Sequence, residues 1–240
     1  PLTNDTFRWK TQFNFATNKN KIVSLGGTPN FQYASGNVSM PYKMMVVEGG
    51  SLGDIYGNVF VRDANGQIMM EPETNKDGSK NDKAGLPQVT TDKAAKIGNF
   101  NPDWTLGWSN TLTYKGFSLY FLIDARVGGD VISLTQAGLD YAGVSKVTGE
   151  ARMAGGYTLE GHKIANRTDE NGKVVDMSQK FFQMVGDRGN GTTEFYRYDG
   201  TNIRLREISL GYSFPQQMLE KTGFIKGVDL SLVARNLFFI

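Results

Sequence analysis

The sequence predicts an all-β fold, a fragment of a transmembrane antiparallel β-barrel with about five wall strands and two long extracellular loops. Three observations support this prediction. Five stretches alternate apolar and polar residues for about ten positions each, their apolar faces are rich in aromatic residues, and long and short connections follow one another in turn. A tilted strand needs roughly 9–11 residues to cross the hydrocarbon layer of a membrane, so the stretches have the required length.

The five predicted strands cover about 7–16, 104–114, 117–126, 203–214 and 227–238. In the first strand, Phe7 and Trp9 share one face, while Arg8 lies on the other. The pair Lys115-Gly116 favours a tight hairpin between the second and third strands. Pro215 ends the fourth strand, because a proline cannot donate a hydrogen bond to a sheet.

The connections between these strands alternate in length. The segments 17–103 and 127–202 are long, polar and irregular, whereas 115–116 and 215–226 are short. Because successive strands run in opposite directions, both long connections fall at one end of the sheet and both short ones at the other. Outer-membrane barrels have this asymmetry, with long loops outside the cell and short turns in the periplasm.

Local patterns predict some structure inside these connections. Asn65-Gly66 predicts the turn of a small hairpin. Residues 71–96 are rich in Lys, Asp, Asn and Gly, so a mobile loop is expected there. A short helix is expected over 133–141 and a brief turn over 216–221.

Two arginines conflict with the alternation of the fourth strand. Extended backward, its apolar phase places Arg204 and Arg206 on the lipid face. A cation at the middle of the bilayer costs about 2–4 kcal/mol, although the cost is near zero to 1 kcal/mol at the interface. We therefore expect either a β-bulge that turns both arginines inward or a contact with anionic lipid head groups.

Composition excludes several classes of function. The formal net charge of +2 is too balanced to favour nucleic-acid binding, and the absence of cysteine excludes disulfide scaffolds and thiolate metal sites. His162 is the only histidine and lies in a polar segment, which argues against metal sites and a Ser-His-Asp triad. Neither glycine-rich phosphate-binding motif occurs. We therefore expect neither an enzyme nor a bound cofactor.

The two ends of the chain suggest a longer polypeptide. The chain starts at Pro1 without an initiator Met, and it stops at Phe238-Phe239-Ile240 within an apolar stretch. We expect the whole of 1–240 to be part of a single barrel domain.

Several motifs occur in order along the chain: Ile97–Trp104 (IGNFNPDW), Tyr114–Phe117 (YKGF), Gly128–Asp130 (GGD), Leu205–Tyr212 (LREISLGY) followed by Pro215, and Arg235–Phe238 (RNLF). Each motif alone is weak. Together they resemble the SusC/RagA-type TonB-dependent outer-membrane transporters over essentially the whole chain.

The resemblance implies a barrel of roughly 22 strands around an N-terminal plug, in the outer membrane of a Gram-negative bacterium. It implies import of oligosaccharides or peptides, assisted by a SusD-type surface lipoprotein and driven through TonB, which parts not included in this sequence would contact. This chain would supply about five strands from near the carboxyl end, in contact with outer-membrane lipid.

Two sets of residues are candidates for binding the solute. The first consists of charged residues expected to face the lumen: Asp124, Arg126, Asp229 and Arg235. The second consists of loop aromatics that could stack on sugar rings: Tyr157, Phe181, Phe182 and Tyr196. In the alternative interpretation, the charges pair with neighbours inside the wall and the aromatic rings pack within the loops.

A soluble β-sandwich that binds surface glycans is the rival to the barrel. Its strands would alternate in the same way, with the apolar face turned toward a core. This rival predicts that Phe7, Trp9, Trp108 and Phe121 are sealed inside the protein.

Overall fold

The computed structural model describes residues 2–3, 6–33, 41–220 and 223–239. The chain divides into two compact units, each assembled from separate stretches of sequence. Unit 1 comprises Pro1–Lys19, Asn101–Gly129 and Asp199–Ile240, and unit 2 comprises Asn20–Phe100 and Asp130–Tyr198. Unit 2 therefore contains almost all of the two long connections that separate the predicted strands.

The described residues form sixteen strands and four α-helices. The strands are β1 (Leu2–Thr3), β2 (Phe7–Ala16), β3 (Phe31–Gln32), β4 (Tyr42–Val46), β5 (Asp54–Gly57), β6 (Ala95–Asn99), β7 (Trp104–Tyr114), β8 (Phe117–Val127), β9 (Asp130–Ile132), β10 (Gly156–Leu159), β11 (His162–Ala165), β12 (Arg167–Thr168), β13 (Val174–Val175), β14 (Arg197–Asp199), β15 (Asn202–Ser213) and β16 (Asp229–Phe239). The helices are α1 (Leu134–Tyr141), α2 (Lys146–Met153), α3 (Met177–Val185) and α4 (Gln216–Leu219), with a 3-10 helix over Thr193–Tyr196.

Unit 1 is an antiparallel sheet in the order β1-β2-β7-β8-β15-β16. Five of its strands correspond to the predicted ones, with bounds that differ by at most two residues, and β1 adds a short edge strand. The sheet is open: among the described residues, β1 and β16 form its two edges and do not pair with each other. The predicted β architecture with about five long strands is observed, and the described residues form no closed barrel.

The turn between β7 and β8 is the tight hairpin that the sequence predicts. Lys115 and Gly116 have φ values of 45° and 87°, so both central residues adopt the left-handed conformation of a type I′ turn. A Cβ atom on Gly116 would lie 2.8 Å from the Ser213 carbonyl oxygen. Glycine is required here by both conformation and packing.

The apolar face of this sheet contains one pair of polar residues, Thr11 on β2 and Asn110 opposite it on β7. Each accepts a hydrogen bond from an indole N–H: Trp108 donates to Thr11 Oγ1 at 2.9 Å and Trp9 donates to Asn110 Oδ1 at 3.0 Å. The pair thus satisfies two indole donors that an entirely apolar face would leave unbonded.

Unit 2 has a hydrophobic core to which both inserted segments contribute. Phe60, Ile68 and Leu86 from the first segment pack in one cluster with residues of the second. The members from the second segment are Ala137, Ala151, Leu159, Ile164, Met177, Phe181, Phe182, Val185 and Tyr196. The two predicted loops are therefore a single folded body with one core.

Residues 71–96 were expected to form a mobile loop, and the structure corrects this expectation. Ala84 and Leu86 are buried. The backbone is held by hydrogen bonds: the Leu86 amide donates to the Lys83 carbonyl, and the Glu71 amide donates to the Leu86 carbonyl. The polar composition misleads because only a few apolar side chains are needed to fix a short turn-rich segment against a core.

Three other local predictions are confirmed. The hairpin at Asn65-Gly66 forms, with the Met69 amide donating to the Val61 carbonyl at 2.8 Å. The helix expected over 133–141 is α1, whose first turn is capped by the Ser133 hydroxyl accepting from the Gln136 amide. The turn expected over 216–221 begins as α4, while its last residue, Lys221, lies outside the described residues.

Charged side chains connect distant parts of unit 2. Arg62 forms ion pairs with Glu160 at 2.7 Å and with Glu194 at 3.0 Å, so the hairpin of the first segment is bound to two points of the second. The hydrogen bonds from Arg62 hold the pKa of the Glu160 carboxyl below its usual range. Glu160 is therefore suited to remain ionised at neutral pH as a partner of the guanidinium.

A buried carboxylate fixes the turn between β4 and β5. Asp54, of which 1% is exposed, accepts from the Ser51 amide at 2.9 Å and from Asn99 Nδ2 at 2.7 Å, and it pairs with Lys96 Nζ at 2.8 Å. Burial raises the pKa of Asp54, but the bonds from Lys96, Ser51 and Asn99 outweigh it, so the net shift is downward. The Asn99 of the IGNFNPDW motif thus has a structural role.

The shared core of unit 2 predicts the effect of truncating Phe181, which is fully buried. Phe181→Ala should destabilise unit 2 by about 3–5 kcal/mol, because it removes a whole ring and leaves a cavity. Limited proteolysis of the protein should then produce new cuts in both segments, 20–100 and 130–198, at protease concentrations that leave the parent intact.

The control is Val174→Ala, because Val174 is exposed in the same unit. It should leave the cleavage pattern unchanged. Cuts confined to 130–198 in the Phe181→Ala variant would contradict a core common to both segments.

Candidate functional site

The polar face of the six-stranded sheet is the candidate functional site. The register places successive polar residues of all five long strands on one side. Among the described residues, this face has six cationic side chains (Arg8, Lys10, Arg126, Arg204, Arg206 and Arg235) and three carboxylates (Asp124, Glu207 and Asp229). The face therefore has an excess of positive charge.

A β-bulge resolves the conflict over Arg204 and Arg206. The pairing of β15 with β8 passes from Leu205↔Ile123 directly to Glu207↔Leu122, so Arg206 is an extra residue. On both sides of the bulge the apolar residues of β15 lie on the apolar face: Ile203 and Leu205 before it, and Ile208, Leu210 and Tyr212 after it. Of the two expectations from the sequence, the β-bulge is confirmed.

The bulge brings both arginines to one carboxylate. Arg204 donates to Asp124 Oδ2 through Nη2 at 2.8 Å and through Nε at 3.1 Å, and Arg206 donates to the same oxygen through Nη1 at 2.9 Å. Two guanidinium groups thus share a single carboxylate, which leaves a net positive charge within the group of three. We call Asp124, Arg204 and Arg206 the arginine cluster.

A second ion pair joins the same part of β15 to β16. Arg235 Nε donates to Glu207 Oε2 at 2.9 Å, and the two residues are directly opposite in the register. The following residue, Asn236, has a φ of 51°, a left-handed conformation that is uncommon outside glycine. The motifs LREISLGY on β15 and RNLF on β16 therefore lie opposite each other at the one place where the pairing of these two strands is irregular.

The structure places the four predicted charged residues on the polar face but does not gather them. Asp124 belongs to the arginine cluster and Arg235 pairs with Glu207. Arg126 is the next residue of β8 on the polar face after Asp124, and it lies opposite Asn202. Asp229 lies at the other end of the sheet, opposite Ser213.

The predicted loop aromatics lie in or against the core of unit 2, as the alternative interpretation of packing within the loops describes. Phe181, Phe182 and Tyr196 are at most 2% exposed, so no ring face is open to a solute. Tyr157 is partly buried against them, with its ring centroid 5.1 Å from that of Phe181. Burial and the neighbouring Asp140 carboxylate, which accepts from the Tyr196 hydroxyl at 3.1 Å, raise the pKa of Tyr196.

Sequence reasoning missed Arg204, Arg206 and Glu207 as members of the site. A signal was present, because both arginines broke the phase of an otherwise regular strand. The bulge itself could not be derived, since its position depends on pairing with β8 and β16.

The opposite face of the sheet is apolar and exposed. Among its residues Phe13, Phe15, Tyr114, Phe117, Leu210, Leu230 and Leu232 are exposed. Phe7, Trp9, Trp108 and Phe121 are partly buried, not sealed in a core as a soluble sandwich predicts. A continuous apolar face of this kind indicates contact with a partner or with lipid.

Two further properties concern the described part of the chain. None of its helices is long and apolar enough to cross a membrane. Its His, Asp and Glu residues form no group of three that could hold a metal ion.

Three curated proteins of Formosa agariphila are similar in sequence. TonB-dependent receptor P3 is 29% identical over 245 aligned positions, which cover 98% of this chain and 22% of that receptor. TonB-dependent receptors P26 and P39 are 26% and 25% identical and cover 97% and 99% of this chain. The chain is similar to TonB-dependent receptors along nearly its whole length. It spans about a quarter of their length, and no protein-family model matches it.

Solved structures of the RagAB system share the fold. The RagAB peptide importer in the open-open state matches with a TM-score of 0.57 at 17% identity, and the RagAB peptide transporter matches with a TM-score of 0.58 at 20% identity. Each match covers 100% of this chain and 24% of the other. At these identities the likeness concerns the fold alone. The sequence relatives confirm the resemblance to TonB-dependent outer-membrane receptors that the motifs indicated.

The bulge predicts which side chains of β15 are accessible to water in the protein. This chain contains no cysteine, so single cysteines can be introduced without removing others from it. A charged maleimide should react rapidly with Arg204→Cys and slowly with Leu205→Cys, because the first faces the polar side and the second the apolar side.

Ser209→Cys and Leu210→Cys, below the bulge, supply the matched fast and slow references. A strand without the bulge would reverse the order at 204 and 205 while leaving the reference pair unchanged. That reversal would contradict the pairing described here.

Proposed function

We propose that this chain forms part of the wall of an outer-membrane, TonB-dependent receptor that imports oligosaccharides or peptides. The observation that carries the proposal is a sheet with one exposed apolar face and one polar, charged face, in a chain similar to TonB-dependent receptors over nearly all its length. In a membrane, the apolar face contacts lipid and the polar face lines an aqueous interior.

The structure of the sheet supports this arrangement in lipid. The two indole donors of Trp9 and Trp108 are bonded to Asn110 and Thr11, as the absence of water in hydrocarbon requires. The bulge keeps Arg204 and Arg206 off the apolar face, which avoids a cost of about 2–4 kcal/mol for each cation near the bilayer midplane. The open edges of β1 and β16 would pair with further strands of the complete wall.

The whole receptor would act as a conduit without catalysis, and the energy for import would arrive from the inner membrane. Unit 2 combines the two connections that leave one end of the sheet, which we assign to the cell surface. There it would meet a SusD-type surface lipoprotein, while TonB would act through parts of the receptor outside this sequence. The similar RagAB system is described as a peptide importer, which supports peptides as one of the two solute classes.

Lipid contact is tested by spin labels on neighbouring residues of β16 in the reconstituted full-length receptor. A label at Leu232→Cys should collide mainly with oxygen, which concentrates in hydrocarbon. A label at Ser231→Cys, on the polar face, should collide mainly with a water-soluble nickel complex. Equal nickel accessibility at both positions would show that the apolar face does not meet lipid.

Import is tested by uptake in the organism that carries the full-length receptor. Radiolabelled oligosaccharide and peptide mixtures should accumulate in the parent strain, and uptake should fall to background when the receptor gene or the TonB gene is deleted. Deletion of a lipoprotein gene adjacent to the receptor gene should reduce uptake in the same way. Uptake that persists without TonB would contradict an energised importer and leave a passive pore or a surface binding protein.

A further inference from the structure

Gly107 is a glycine for which the structure shows no packing reason. It lies in the middle of β7 on the polar face, opposite Asp124 on one side and Asn14 on the other. A Cβ atom at Gly107 would have the Asn14 Cβ as its nearest neighbour, at an ordinary 3.9 Å, and no positive φ demands glycine. By contrast, a Cβ on Gly211 of the same face would meet Ser118 Oγ at 2.5 Å.

A glycine inside a strand weakens the strand and often marks the close approach of a ligand or another backbone. Packing accounts for Gly211 but not for Gly107. The missing side chain at Gly107 leaves a notch in the polar face, bordered by Asp124 and Asn14. We call this space the Gly107 notch.

The arginine cluster lies beside this notch. Both guanidinium groups reach from β15 across to Asp124 on β8, and neighbouring strands are about 4.8 Å apart, so the charged groups lie over the strand next to Gly107. Arg206 donates to Asp124 only through Nη1 among the hydrogen bonds of the described residues. Its planar guanidinium has further N–H groups with which to bind an oxyanion.

The backbone around the cluster is irregular on two strands. Arg206 is the extra residue of the bulge in β15, and Asn236 on β16 has a left-handed φ of 51°. Bulges frequently re-aim a side chain next to a functional site, and strained residues persist where the surroundings over-determine them. Here the bulge allows Arg206 to bond to the Asp124 carboxylate, which already accepts hydrogen bonds from Arg204.

We propose that the Gly107 notch and the arginine cluster form a subsite for an oxyanion, a carboxylate or a sulfate group on the imported solute. Asp124 holds the two guanidinium groups in place and leaves one positive charge to attract the anion. The inference rests on the proposed function, because a solute reaches this face only if it lines an aqueous interior.

The test uses crystals of the full-length receptor soaked with two anomalous scatterers in separate arms. Selenate represents sulfate, and 4-bromobenzoate, which does not alkylate protein side chains, represents a carboxylate. In at least one arm, we expect an anomalous peak over Gly107 within hydrogen-bonding distance of Arg206, and the arm that gives the peak identifies the source of the oxyanion.

Two variants and a control complete the experiment. Arg206→Gln removes the second guanidinium, and Gly107→Leu fills the notch while leaving the arginines in place, so both should lose the peak. Arg8→Gln removes a cation of the same face that lies opposite Thr113, far along the strands from Gly107, and this variant should retain the anomalous peak. In solution, calorimetric titration with the same anion should show at least a tenfold weaker Kd for Arg206→Gln than for Arg8→Gln.

Two results would overturn the proposal. One is the absence of a peak at the notch in both arms. The other is a peak that persists in both Arg206→Gln and Gly107→Leu, which would mark an adventitious ion only. The soak requires neither TonB nor the lipoprotein, so its outcome is separate from that of the uptake assay, which alone decides whether the receptor imports.

Discussion

The extra residue at Arg206 is the constraint on which the two-faced character of the sheet depends. Side chains alternate with a period of two along a strand, so a regular β15 would turn Arg204 to the apolar side and Leu205 to the polar side. The bulge shifts the phase by one position between Leu205 and Glu207. As a result, Leu205 continues the apolar face beside Ile123, and Arg204 meets Asp124. One residue thus decides both the continuity of the apolar face and the composition of the charged one.

The long connections follow a different principle, because their order comes from a shared core and not from the sheet. Both segments contribute to the same cluster: the first supplies Phe60, Ile68 and Leu86, and most of the other members, including Phe181 and Phe182, come from the second. Their association also creates the ion pairs of Arg62. A substitution in one segment therefore changes the stability of the other, which separate loops would not do.

The same distinction explains what could be predicted from the sequence. The strands follow from local alternation, and the hairpin at Lys115-Gly116 follows from turn chemistry, so both were predictable. The phase of Arg204 and Arg206 indicated an irregularity, but its form depends on residues of β8 and β16 that are distant in sequence. The burial of Phe181 and Phe182 could not be predicted, because the core cluster to which they belong also includes Phe60, from the other segment. The polar composition of 71–96 likewise concealed the anchoring role of Leu86.

The pairing within the arginine cluster has a consequence for the proposed oxyanion subsite. A site on a transport path must bind strongly enough to admit its ligand and weakly enough to release it. Two unpaired guanidinium groups would hold an oxyanion tightly through several charge-assisted hydrogen bonds. Asp124 competes for the same N–H groups with three hydrogen bonds to its Oδ2 atom. In the proposed subsite, Asp124 would thus offer the arginines an alternative partner at the moment of release, so that the solute could leave without exposing an uncompensated pair of charges.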